Sequence, residues 1–279
     1  MFRSLSTGAI GVAVPDLEAG LDLAARHGFQ GYHFSIAEAA DLGVARVVDV
    51  AKSKGVRLAA WGFPLDFRGD EASFDQSLAA LPRLAAVASE LEVRRTSTWI
   101  MPCSDELDFE ANFTFHASRL KPAATVLADY GIRLGLEYVA PRTSWTGGAY
   151  AFVHTMEQMG RLCEAIGPNA GFLLDSWHWY TAGEGEADLR QLSPEQVVDV
   201  HVNDAPRLPR DEQLDHIRAL PGETGVIDIA VFLRSLADIG YDGPVMVEPF
   251  SEALREMGSD DACAATSSAL LQVWTSAGL

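Results

Sequence analysis

A chain of 279 residues is long enough to bury a sizeable core, and its 48 % apolar and 22 % charged residues exclude a disordered or fibrous polymer. With 39 acidic residues against 21 Lys and Arg, the formal net charge is -18 and no basic stripe exists to follow a phosphate backbone, so nucleic acid is not an expected partner. Cys103, Cys163 and Cys263 form no CxxC pair, the first residues lack a signal-peptide core, and no apolar run approaches bilayer length; the expected setting is a reducing cytoplasm away from membranes.

Short strand-like runs then alternate with helix-patterned stretches from end to end, the signature of an α/β fold. The first strand is expected over 7–14. A helix over 16–27 follows, with Leu17, Leu21 and Ala24 on one face and Gly28 as its stop. Further strands are expected over 31–35, 57–63, 95–101, 133–139, 171–176 and 197–203. A helix over 228–239, capped by Asp228, striped by Phe232, Leu233 and Leu236 and ended by Gly240, leads into the last strand over 244–250. Eight strands is the number of a (β/α)8 TIM barrel, which commonly takes about 250 residues, so 1–279 is expected to form one barrel domain. An open dinucleotide-binding sheet would carry GxGxxG after the first strand, and Thr7-Gly8-Ala9-Ile10-Gly11 does not supply it; a P-loop is also absent.

Four side chains with metal-binding chemistry each follow an apolar strand run. Glu137 follows Leu134-Gly135-Leu136, Asp175 follows Phe172-Leu173-Leu174, His201 follows Val197 to Val200, and Glu248 follows Val245-Met246-Val247. Any one alone reads equally as a solvent-facing loop residue. In a parallel barrel, however, the C-terminal strand ends meet at one mouth. Three carboxylates converging there repel one another unless a cation or shared protons neutralise them. A mostly oxygen set with one nitrogen suits Mn2+ or Mg2+, and also accommodates Zn2+ or Co2+. Trp61 and Phe63 near the third strand's end and His33 on the second are candidates for the apolar wall and polar tip of a sugar pocket, or equally for rim and core packing.

The segments Gly135-Leu136-Glu137, Leu174-Asp175-Ser176-Trp177-His178, His201-Val202-Asn203-Asp204, Leu220-Pro221-Gly222-Glu223 and Gly243 to Phe250 resemble the sugar isomerase and epimerase group of xylose isomerase-like TIM barrels. That group includes ketose 3-epimerases, hydroxypyruvate isomerase and inosose dehydratase, and the resemblance spans nearly the whole chain. It implies that Glu137, Asp175, His201 and Glu248 are the ligands of one divalent metal, and that Glu137 and Glu248 are also the acid/base pair. It further implies substrate contacts from His178 and Arg218. The implied activity is isomerisation or epimerisation of a sugar or related polyhydroxy carbonyl compound through a metal-stabilised enediolate, by a soluble enzyme that acts on a small carbohydrate and is open to homo-oligomer formation. A dehydratase of the inosose type, in which the same intermediate expels a β-hydroxyl, is the alternative. An apurinic-site endonuclease ranks lower, because Arg218 stands where that pattern wants a histidine. Ketose 3-epimerases carry a second Glu six positions after the first; Thr143 stands there in this chain.

Overall fold

Strands of a parallel barrel are covered on both faces, and Arg133–Tyr138, Ala170–Asp175 and Val197–Val202 are buried almost throughout. The computed structural model describes residues 1–279. Its strands β1 Phe2–Leu5, β2 Gly31–Phe34, β3 Arg57–Gly62, β4 Arg95–Ile100, β5 Arg133–Tyr138, β6 Ala170–Asp175, β7 Val197–Val202 and β8 Pro244–Val247 close into one parallel barrel. Closure is made by β8 against β1, with Phe2 opposite Pro244. Helices surround it, and the cap expected at Asp228 forms. Asp16 accepts the Ala19 N–H at 2.8 Å at the start of Leu17–Arg26, and Asp228 accepts the Val231 N–H at 3.0 Å at the start of Ile229–Asp238. Each such cap contributes about 1 kcal/mol. No helix is long and apolar enough to cross a membrane.

The first strand departs from expectation. It is Phe2–Leu5, not 7–14. The apolar run after Thr7 is a loop at the barrel mouth, because Gly11 takes a φ of 76° and the chain turns, with Gly11 N–H donating to Gly8 O and Val12 N–H to Thr7 O. Ile10 and Val12 are buried all the same, so the apolar signal was real and its secondary structure was misread. A short ribbon of Cys103–Ser104 against Tyr150–Ala151, also unanticipated, lies outside the barrel.

A register shift between β6 and β7 matters for the site. Phe172 pairs with Val197 but Leu173 pairs with Asp199, so Val198 is an extra residue on β7. It packs against Gly135 and Gly171, where added Cβ atoms would lie 3.1 Å from Val198 Cβ and 2.4 Å from the Gln196 carbonyl oxygen. The two glycines therefore make room for the bulge, and beyond it Asp199 and His201 line the cavity at the mouth.

Behind the mouth, Tyr138 Oη donates to Glu184 Oε2 at 2.5 Å and the Met156 N–H donates to Oε1 at 2.7 Å. Burial outweighs these hydrogen bonds and pushes the Glu184 carboxyl up from 4.5 to about 7. A raised carboxyl favours the folded state below its ordinary value, and that contribution is lost as pH rises through the folded value. Wild-type stability should therefore fall relative to Glu184→Gln between about pH 5 and about pH 8, as read by urea denaturation. Parallel curves for the two proteins would remove Glu184 as the titrating group.

Candidate metal centre

Glu137 near the end of β5, Asp175 at the end of β6, His201 on β7 and Glu248 just past β8 bring their donor atoms within 4.8 Å of one another. His201 Nδ1 lies 3.8 Å from Glu137 Oε1 and 3.5 Å from Glu248 Oε2. Glu137 Oε1 and His201 Nδ1 are buried and have no hydrogen-bond partner. Unpaired buried acceptors of this kind cost about 1–3 kcal/mol each, and a shared cation would satisfy both together. The donor set thus fits a divalent ion.

The protein's electrostatics point the same way. Burial, and then the neighbouring Glu248 carboxylate, push Glu137 well above the usual carboxylate range. Burial also works against Glu248, but the His201 imidazole and the Arg218 guanidinium hold it below its ordinary value. Burial opposes protonation of His201, yet Glu248 and Glu137 raise it to about 10. In the absence of a cation, a proton on this imidazole partly takes a cation's place.

Asn203 frames the ligands. Its Nδ2 donates to both Asp175 oxygens at 3.2 and 2.9 Å, while its Oδ1 accepts the Glu248 N–H at 2.8 Å. Its backbone is held in turn by the Ser176 hydroxyl. Partners of this kind typically change metal affinity 10–100-fold, so Asn203→Ala should weaken metal binding by about that factor. Titration with Mn2+ checks this, and unchanged affinity would reduce Asn203 to a structural role.

Arg218 also meets this cluster. Its Nη1 donates to Asp175 Oδ2 at 2.8 Å and to Glu248 Oε2 at 3.3 Å, and its Nη2 donates to Asp215 Oδ1 at 2.8 Å. Its guanidinium lies between the Trp177 and Phe250 rings, 5.0 and 4.5 Å from their centroids. Phe250 adopts a left-handed φ of 43°, a strained conformation held at this site. The long loop that carries Arg218 is pinned by Asp204, whose carboxylate accepts N–H groups of Ala205, Thr224, Gly225 and Ile227.

His178 is fully enclosed. Its Nδ1 lies 3.3 Å from the Ala140 N and its Nε2 3.3 Å from Arg218 Nη2, with Glu137 Oε1 and Asp215 Oδ1 at 3.9 and 3.7 Å from Nε2. Burial, followed by Arg218, lowers its pKa to about 4, which keeps the ring neutral.

A cavity of about 440 Å³ opens beside Glu137, His201 and Glu248. Trp61 and His33 are among its lining residues, whereas Phe63 packs on Phe67, and His178 and Arg218, the expected substrate contacts, are not among them. Thr143 Oγ1 donates to the Gln213 carbonyl at 2.6 Å, joining the loop after β5 to the loop bearing Arg218. Sequence reasoning gave no role to Asp199, Asn203 or Asp215. Alternation from His201 would have turned Asp199 and Asn203 to the same face; nothing local marks Asp215 as a partner of Arg218.

Comparison with known proteins agrees with this geometry. Residues 21–271 match the family model described as xylose isomerase-like TIM barrel. A xylose isomerase domain protein from Alicyclobacillus acidocaldarius superposes with a TM-score of 0.87 at 33% identity, covering 100% of both chains. An inosose isomerase from Bacillus velezensis is 30% identical over 146 residues, 52% of this chain and 49% of that protein. A 3-dehydroshikimate dehydratase from Pseudomonas aeruginosa is 30% identical over 141 residues, 50% of this chain but 21% of that protein. The matched stretch thus spans about half, or less, of these curated relatives. With a matching family model over most of its length and a full-length relative of the same barrel, the chain belongs to the xylose isomerase-like TIM barrel family.

Proposed function

We propose that this protein is a divalent-metal-dependent isomerase or epimerase that moves a proton at the carbon beside the carbonyl of a sugar or related polyhydroxylated compound. The observation that carries the reading is the convergence of Glu137, Asp175, His201 and Glu248 within 4.8 Å, which sets two glutamates beside one shared cation position. The oxygen-rich set favours Mn2+ or Mg2+ and accommodates Zn2+ or Co2+. When bound, the cation supplies electrophilic stabilisation of the charge that develops on the substrate oxygens as the proton leaves.

The chain's own groups do the rest. One of Glu137 and Glu248 takes the α-proton, and the other returns a proton to the opposite face or to the neighbouring carbon. Arg218 keeps Glu248 ionised and Asp175 in place. Neutral His178, 3.3 Å from Arg218 Nη2, helps seat that guanidinium, and Trp61 walls the cavity. A dehydratase reading, in which a β-hydroxyl leaves in place of reprotonation, draws support from the dehydratase match and from Thr143 at the position of the epimerases' second Glu.

Solvent deuterium exchange tests the reading. With Mn2+, one member of a ketose, aldose and inosose panel should incorporate deuterium at the α-carbon, and chelation should stop it. An ultraviolet-absorbing enone product would assign the dehydratase. Absence of exchange across the panel with metal bound would defeat enolisation.

A further inference from the structure

The cavity beside the metal ligands has an unusual charge balance. Its charged lining consists of Glu38, Glu137, Asp199 and Glu248 together with His33 and His201, and no Lys or Arg is among the lining residues. Three guanidiniums near the mouth lie outside this lining. Arg218 is spent on Asp175, Glu248 and Asp215, while Arg68 lies 4.3 Å from the Phe67 and Trp99 ring centroids and donates to the Trp99 carbonyl. Arg255 packs over Gly11. The helix N-terminus at the cavity, that of Ile36–Leu42, is capped by the Ser35 hydroxyl and carries Glu38 in its first turn.

A divalent ion and Arg218 together only balance the three ligand carboxylates. Asp199 and Glu38 remain, with His33 as the one further group able to carry a positive charge. Asp199 is built in: Ser97 Oγ donates to its Oδ2 at 3.0 Å, His33 Nε2 lies 3.3 Å from both of its oxygens, and His33 Nδ1 meets Ser4 Oγ at 3.0 Å. Such a surface suits hydroxyl groups, which both donate and accept. It offers a carboxylate or phosphate none of the paired cations that bind them.

We infer that this cavity selects an uncharged polyhydroxylated substrate and rejects carboxylated or phosphorylated counterparts, with His33 and Ser97, held by the fully buried Asp199, reading hydroxyls remote from the metal. The inference rests on the reading of this cavity as the substrate site. It separates the protein from enzymes acting on 3-dehydroshikimate, which is itself a carboxylate.

Calorimetric binding to the Mn2+-loaded protein tests it without turnover. Myo-inositol and D-fructose are compared with myo-inositol 1-phosphate, D-fructose 6-phosphate and shikimate. At least one neutral polyol should bind about 100-fold more tightly than its anionic counterpart at low salt, with the gap narrowing as salt rises. Asp199→Asn should shrink that discrimination about tenfold; if it fails to fold, Glu38→Gln at the rim should shrink it to a smaller degree. Equal or tighter binding of an anion would overturn the inference, as would binding of none of the probes. Selective neutral binding without deuterium exchange would leave charge selection standing and remove enolisation alone. Exchange on an anionic substrate that also binds more tightly would do the reverse.

Discussion

Glu137→Gln and Glu248→Gln are each expected to lower turnover by about 10²–10⁴ while the barrel stays folded. Each variant removes a proton carrier and replaces one carboxylate by an amide of nearly the same shape. Neither should collapse the site. Glu137 has an unpaired buried oxygen and faces Glu248, so loss of its charge relieves repulsion, while Arg218 retains Asp175 and Asp215 when Glu248 is neutral. Melting of metal-free Glu137→Gln should accordingly match or exceed wild type, whereas Glu248→Gln, which loses a carboxylate held ionised by His201 and Arg218, should melt lower. The two should also differ from each other: the variant that keeps the proton-abstracting Glu still washes deuterium into substrate without forming product, and the other does not. Wild-type turnover in either variant would remove that residue from the acid/base pair.

Arg218→Met should be the most destabilising single change at the site, by about 3–5 kcal/mol in the metal-free protein. The guanidinium is itself almost wholly buried, and it is the counter-charge of a fully buried Asp175 as well as a partner of Glu248 and Asp215. Methionine fills the space between Trp177 and Phe250 but leaves those carboxylates without their cation. Arg218→Lys should fall between, since one ammonium cannot fork to Asp175 and Asp215 as the guanidinium does. Urea unfolding reads the difference, and added Mn2+ should recover part of it by binding the folded site. A loss below about 1 kcal/mol would mean that the cluster does not depend on this ion pair.

The cluster of four candidate donors was legible in the sequence for a simple reason. A carboxylate or imidazole that follows an apolar run and precedes a turn is a strand-end residue, and four such runs in succession place Glu137, Asp175, His201 and Glu248 on one rim. Asp228 as a cap was an equally local signal. The first strand was not: Phe2–Leu5 carries Arg3 and Ser4, whereas the loop after it is the more apolar stretch. Ser4 is nevertheless fully buried, because its hydroxyl faces His33 inside the barrel.

By itself, then, the sequence determined the alternation of strand and helix, the eight-fold barrel and the identity of four convergent donors, since each is encoded by periodicity or by a short motif along the chain. Tertiary structure alone decided the rest. The extra residue at Val198 became visible only through the pairing of β7 with β6 and through the space left by Gly135 and Gly171. Arg218 acquires its partners from Asp175, Asp215 and Glu248, brought together by a loop that Asp204 folds back onto the mouth. A periodic pattern records which way a side chain points relative to its neighbours in the chain. It does not record the offset between strands or the depth to which a loop residue enters, and at this site those two quantities set the cavity's charge.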